Sequence, residues 1–143
     1  MTGAPGATPR AVTLIRSAAL SGAAEYAYAA AAAAGSRLVF LAGACPLNYD
    51  GSTAAPGDYP GQAAKAFGNM RVALAEAGAV LEDVLATRVL VASARREDLV
   101  AAWQVVRDRF GDHDVPSTLM GVTVLGYPGQ LVEIEAVAAV PDW

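Results

Sequence analysis

Cysteine and histidine occur once each, as Cys45 and His113, and a single lysine, Lys65, accompanies nine arginines. One cysteine excludes an internal disulfide and any cysteine-rich metal site. With only one histidine as well, zinc sites and histidine-based triads lack their ligands, so no metal and no cofactor are expected. No basic cluster exceeds Arg95-Arg96, the formal net charge is −4 and the sequence pI is about 4.8. The chain therefore lacks the cationic surface that holds nucleic acid. No run approaches the roughly 20 apolar residues of a membrane helix; the longest alanine block, residues 29–34, ends at Gly35-Ser36-Arg37. The first ten residues hold two prolines, two glycines and one arginine, and the apolar stretch after them is broken by Arg16. That pattern is unlike a secretory signal, and a cytoplasmic location is expected.

What the chain has in excess is alanine. Of 143 residues 55% are hydrophobic and the mean hydropathy is +0.36, but 33 of them are alanines. Much of the apolar surplus is thus methyl groups, and the length suits one domain. Residues 1–10 are rich in Gly, Pro, Ala and Thr without periodicity and read as a flexible arm ahead of a single domain over residues 11–143. Residues 11–17 read as a strand. Residues 26–34 are ambiguous, since alanine favours helix but Gly35-Ser36 signals a turn. Residues 37–43 are a short apolar run closed by Gly43, a buried-strand pattern, and residues 45–60 read as a loop.

Two helices stand out. Ala63, Ala66, Phe67, Met70, Leu74 and Ala77 repeat at helical spacing, with Asp58 and Pro60 near the start and Gly78 where a C-terminal cap belongs. Leu99, Ala102, Trp103, Val106 and Phe110 form a second stripe, with Glu97 and Asp98 at its N-terminal end and Arg107 and Arg109 at its C-terminal end, as the helix dipole favours. Residues 84–92, 120–125 and 131–140 read as strands. The order β-β-β-α-β-α-β-β makes the class α+β. In the last strand Val132, Ile134, Ala136, Ala138 and Val140 share one face, and Glu133 and Glu135 lie on the other, separated by roughly 6.5 to 7 Å. Glutamates apart, that second face is too apolar for bulk water, which points to an oligomer with carboxylates in a semi-buried cleft.

Several strings recur in a specific order and spacing: Leu38-Val39-Phe40-Leu41-Ala42-Gly43, Gly51, Gln62 and Asn69, Ala77-Gly78-Ala79, Asp83-Val84, Phe110, Pro116-Ser117-Thr118 and Val132-Glu133-Ile134-Glu135-Ala136. Together they resemble the RidA/YjgF family of reactive-intermediate (imine) deaminases over residues 28–140. The resemblance implies a chorismate-mutase-like fold, a mixed β-sheet with two helices packed on one face. It also implies a homotrimer whose sheets close into a central β-barrel, with three small-molecule clefts between neighbouring subunits.

In the deaminase branch an arginine two residues after the proline clamps a substrate carboxylate. A glutamate on the last strand handles water or a proton, and the substrate is an enamine or imine derived from an amino acid. By position the glutamate is Glu133. The family's N-terminal tyrosine falls at Tyr28 or Tyr26, Tyr28 fitting the spacing to Gly43 better. The arginine position holds Thr118; Ala42 replaces a serine, Trp103 an asparagine and Met120 a cysteine. The resemblance thus implies Glu133, Thr118 and Tyr28 as catalytic residues and Gly43, Ala42, Trp103, Met120 and Cys45 as substrate-binding ones.

Each has a plainer reading: Glu133 as a solvated strand residue, Thr118 as ordinary strand, Trp103 as core. Glu135 reads as structural, pairing with Arg88 or another arginine across the sheet. His113 reads as a solvated loop residue, and Glu82 and Asp83 as a turn. Cys45 has no lysine or histidine near it in sequence to activate it as a nucleophile. A charge-assisted hydrogen bond contributes about 1.5–3 kcal/mol, so exchanging a guanidinium for Thr118 costs one to two decades of affinity for a carboxylate. The expected cleft is therefore more apolar and suits a neutral imine, enamine or carbonyl compound, with Glu133 as acid/base. Efficient deamination of amino-acid-derived enamines is not expected. The alternatives are a metabolite-binding or chaperone-like module without turnover, and a tautomerase- or cyclase-type step in secondary metabolism. The ribonuclease activity sometimes attached to the family sits badly with the charge.

Overall fold

A computed structural model describes residues 9–142, so the expected arm lies outside the described residues except for Pro9 and Arg10. Arg10 is tied down, its Nη1 lying 3.0 Å from Oδ1 of the buried Asp83. The first two strands, β1 (Val12–Ile15) and β2 (Ala29–Ala32), form an antiparallel ribbon, Val12 opposite Ala32 and Ile15 opposite Ala29. The alanine block is thus a strand. Tyr28 N donates to Ile15 O and Ala33 N to Ala11 O at either end of the ladder. Cross-strand pairing overrides alanine's intrinsic helical preference.

The main sheet has four strands: β3 (Arg37–Phe40), β4 (Val84–Ala92), β5 (Ser117–Val122) and β6 (Val132–Val140), in the order β3-β6-β4-β5. β6 runs antiparallel to both neighbours and β5 parallel to β4, so the sheet is mixed and the class is α+β. β5 begins three residues earlier than the sequence predicts and stops at Val122. Its ladder is built on β4, from Thr87 opposite Ser117 to Ala92 opposite Val122, and a strand is no longer than the partner that satisfies its backbone. Between Val84 and Ala86 the β4–β6 register shifts, a bulge at Leu85 that leaves Thr87, Val89 and Val91 on the buried face.

Helix α1 (Tyr59–Glu76) starts at Asp58, whose side chain accepts from Gly61 N, with Pro60 in the first turn. Past its C-terminus Gly78 has φ +80°, a left-handed conformation that favours glycine. Helix α2 (Arg96–Phe110) carries Glu97 and Asp98 in its first turn and Arg107 and Arg109 in its last, as the sequence predicts. Both helices cover one face of the sheet. Ala63, Ala66, Phe67, Met70 and Leu74 of α1 and Ala102, Val106 and Phe110 of α2 are buried, as are Val132, Ile134, Ala136 and Ala138 of β6. Phe67 and Phe110 meet edge to face at 5.2 Å between ring centroids and lock the two helices together. Alanines on both sides of this seam let the helices sit close to the strands.

Among the described residues no helix covers the opposite face. There Leu38 and Phe40 are 51% and 73% exposed, beside Val137 and the two glutamates. Among the described residues no helix is long and apolar enough to cross a membrane. No group of three or more His, Cys, Asp or Glu is placed to hold a metal ion among them either.

Candidate functional site

Strand register decides what stands together on the open face. Thr118 of β5 is opposite Arg88 of β4, and Arg88 is opposite Glu135 of β6. Two residues along, Met120, Leu90 and Glu133 form the next row on the same face.

Over the first row lies a cavity of about 590 Å³ whose wall includes Tyr26, Tyr28, Phe40, Arg88, Thr118 and Glu135. A second hollow of about 360 Å³ adjoins it between Tyr26, Trp103 and Thr118. Tyr26 is common to both. Its ring packs edge-on against Tyr28 and against Trp103, each at 6.1 Å. The Tyr28 hydroxyl donates to Ser21 O at 2.6 Å, and Trp103 Nε1 donates to Glu25 Oε1 at 3.2 Å. Glu25 also pairs with Arg107, so Trp103 is held at the rim of a hollow and lies outside the fully buried stripe of α2. Of the two tyrosines, Tyr26 links the two hollows, whereas Tyr28 walls only the larger.

Glu133 belongs to a different cluster. Its Oε1 accepts from Gln130 Nε2 at 3.1 Å and from the Cys45 thiol at 3.2 Å. Gly43 lies against it, and a β-carbon there would stand 2.8 Å from the Glu133 carboxyl carbon. Glycine is required for that approach. Burial, then the hydrogen bond to Glu133 and its charge, push the Cys45 thiol up to about 11. At neutral pH Cys45 is therefore a donor and not a nucleophile.

The backbone around this cluster is fastened to α1. Asn69 Nδ2 donates to Cys45 O at 2.8 Å and to Leu47 O at 3.0 Å. The buried Gln62 accepts from Leu131 N at 2.7 Å and donates to Gly129 O at 3.0 Å. Two polar side chains of one helix thus aim both loops that carry the cluster.

The sequence-derived candidates accordingly divide within one protomer. Thr118, Tyr28 and Trp103 gather around the two hollows; Gly43, Cys45 and Glu133 touch one another; Met120 lies in Glu133's row across Leu90, and Ala42 is exposed beside Gly43. Glu133 is not in the wall of the larger cavity.

Two residues were missed by sequence reasoning as site members. Gln130 sits in a turn with no periodic signal, and only its contact with Glu133 reveals it. The sequence offers Arg88 or another arginine as a structural partner of Glu135; the partner is Arg88, with Nε 3.4 Å from Oε1. Its place beside Thr118 puts a guanidinium in the cavity wall, where the loss of the family's arginine leads to the expectation of a more apolar cleft. His113 also departs from the solvated reading, since its Nε2 lies 2.9 Å from Val84 O and its ring lies beside Phe110.

The family model described as Endoribonuclease L-PSP matches residues 17–140. The chain belongs to this family, the Rid/YjgF family. A solved member of the highly conserved YjgF/YER057c/UK114 family from Mycobacterium tuberculosis is 31% identical, with a TM-score of 0.62 over 90% of this chain and 99% of that one. A Rid protein of unknown function, YyfB from Yersinia pestis, shares the fold with a TM-score of 0.82 at 24% identity, over 91% of this chain and 99% of that one. TdcF of E. coli, solved with bound serine, shares it at 24% identity and a TM-score of 0.62, over 79% and 86% of the two chains. No curated protein is significantly similar in sequence. Membership in the Rid/YjgF family supports a role in binding or processing small molecules.

Proposed function

We propose that this Rid/YjgF chain assembles as a homotrimer and acts on a small imine, enamine or carbonyl metabolite in clefts between subunits, with Glu133 as acid/base. The observation that carries the reading is the seat of Glu133. Its carboxylate is fixed by Gln130 and Cys45 against Gly43 and shares the open sheet face with Met120 and Thr118. A carboxylate with a set orientation beside an apolar surface suits proton transfer to a bound ligand. The exposed Leu38 and Phe40 on the same face support burial against a second copy. Such a contact would bring a neighbour's surface over Glu133, which in one protomer lies apart from the Tyr28–Thr118 wall.

The test is Glu133→Gln, assayed for turnover of a small imine or enamine that the wild type consumes and for binding of the same ligand. Turnover should disappear while binding persists. Equal loss or equal retention of both counts against catalysis.

A second reading, a metabolite-binding module without turnover, is favoured by one fact: Glu133 already accepts two hydrogen bonds and is outside the wall of the larger cavity. A solved fold relative holding serine accords with either reading. Ribonuclease action has little support, because the net charge is −4 and Arg88 is the sole cationic residue in the wall of the larger cavity among the described residues.

A further inference from the structure

The larger cavity contains a charge pair that the acid/base reading of Glu133 does not use. Among the described residues in its wall, Arg88 carries the only positive charge and Glu135 the only carboxylate. The two are cross-strand partners at one register position, and Thr118 flanks Arg88 on the other side.

The pair is loose. Nε lies 3.4 Å from Oε1 and Nη2 3.5 Å from Oε2, well beyond the roughly 2.7–2.9 Å of a charge-assisted N–H···O bond. The Nε–Nη2 edge of the guanidinium faces Glu135, which leaves the Nη1 side without a protein acceptor among the described residues. Within one protomer neither side chain is locked by packing, with 58% of Arg88 and 38% of Glu135 exposed. The rest of the wall combines an apolar floor, Phe40, Ala86 and Val137, with the Thr118 and Ser117 hydroxyls. A partly enclosed apolar cavity with one under-used guanidinium is a receptor for a small anion, because the planar fork matches a carboxylate in two parallel hydrogen bonds.

We propose that Arg88 and Glu135 form an exchangeable ion pair that anchors the carboxylate of a small monoanionic ligand. The ligand carboxylate takes the guanidinium fork, Glu135 is the resident competitor that it displaces, and the Thr118 hydroxyl donates to the bound anion. The guanidinium stays paired throughout, and the displaced Glu135 carboxylate, already 38% exposed in the protomer, is left to solvent. This deepens the cleft reading by assigning the ligand's charge, and it requires no turnover at Glu133. It also reverses the neutral-ligand expectation drawn from Thr118.

The experiment uses the full chain in its solution assembly, with isobutyrate as the anionic probe, isobutyramide as its uncharged isostere and inorganic phosphate as a different anion. Binding is read by saturation transfer to the ligand methyl protons. The Arg88 Nε–Hε resonance of the wild type locates the isobutyrate and reports phosphate. Isobutyrate should bind saturably and shift that resonance, and isobutyramide should not. Arg88→Gln should weaken isobutyrate binding about tenfold or more. Glu135→Gln, which removes the competitor, should tighten it several-fold, an outcome that a merely structural ion pair does not produce.

Equal binding of the two isosteres, unchanged affinity in Arg88→Gln, or weakened binding in a folded Glu135→Gln variant would each overturn the proposal. Phosphate binding tighter than isobutyrate would overturn the carboxylate assignment. Every readout is of binding, so a chain inactive through Glu133 still gives the expected pattern, and failure here leaves the Glu133 test untouched.

Discussion

Gly43 and Glu133 are in such close contact that a β-carbon on Gly43 would stand 2.8 Å from the Glu133 carboxyl carbon. Gly43→Ala should push the carboxylate off Gln130 and Cys45 while the buried helix–sheet seam stays intact. The variant is expected to lose turnover as Glu133→Gln does, with little change in stability, because the clash is with the movable end of a side chain. Enamine consumption together with a thermal melt checks both parts. Full activity in Gly43→Ala would remove the argument that the seat of Glu133 matters.

The Cys45 thiol, held up at about 11 by burial and by Glu133, should resist alkylation at neutral pH. Because its folded pKa is raised, the native state keeps its proton more tightly than the unfolded chain, whose thiols titrate near 8.5. The stability contribution is therefore complete below about pH 8.5 and is lost as pH rises toward about 11. Iodoacetamide kinetics against pH should show the native thiol reacting only on the alkaline side. Glu133→Gln should move that profile to lower pH, since it removes the negative charge that disfavours the thiolate.

Arg16 and Asp114 join the β1 end of the ribbon to the segment that precedes β5 through a two-pronged contact, Nη1 lying 2.8 Å from Oδ2. The hydrogen bond from Arg16 holds the Asp114 carboxyl below the usual carboxylate range, against the smaller opposing effect of burial. A depressed carboxyl pKa stabilises the native state above the unfolded value, and that contribution disappears as pH falls through the folded one. Asp114→Asn should accordingly flatten the acid limb of a stability–pH curve measured by urea melts, with little change above neutrality beyond the loss of the pair itself.

Phe40, 73% exposed on the open face, is the side chain that an assembly through that face has most reason to bury. Wild type is expected near three times 14.6 kDa in light scattering, and Phe40→Asp near 14.6 kDa. A wild-type monomer would remove the inter-subunit cleft.

Phe67 is buried in α1 and meets Phe110 of α2 edge to face. Phe67→Ala should destabilise the fold by about 3–5 kcal/mol, the range for aromatic-to-alanine changes in a core. Denaturant unfolding measures it. A loss under 1 kcal/mol would mean that the two helices hold together without this contact.

Much of the fold was legible because it is written in local periodicity. Ala63 to Leu74 and Ala102 to Phe110 repeat at helical spacing, and in the structure these are the buried faces of α1 and α2. Val132, Ile134, Ala136 and Ala138 alternate with Glu133 and Glu135, and the helices lie on the apolar side. Less was legible where a partner decides. The alanine block became a strand because β1 pairs with it, and β5 moved toward Pro116 because β4 sets its limits. Gln130 carried no pattern that distinguished it from a loop residue, and Tyr26, the second candidate for the family's tyrosine, is set apart only by walling both hollows.

Sequence alone determined the helix stripes, the face on which both last-strand glutamates lie and the net charge of −4. These are properties of neighbours along the chain and of composition. Tertiary structure decided which charge stands beside Thr118. Arg88 is 30 residues away from Thr118 and Glu135 is 47 away from Arg88, yet all three share one row of the sheet. Their meeting depends on strand register, and a slip of one residue would turn a strand's side chains to the opposite face. No local pattern carries that information, which is why a wall expected to be more apolar holds a guanidinium.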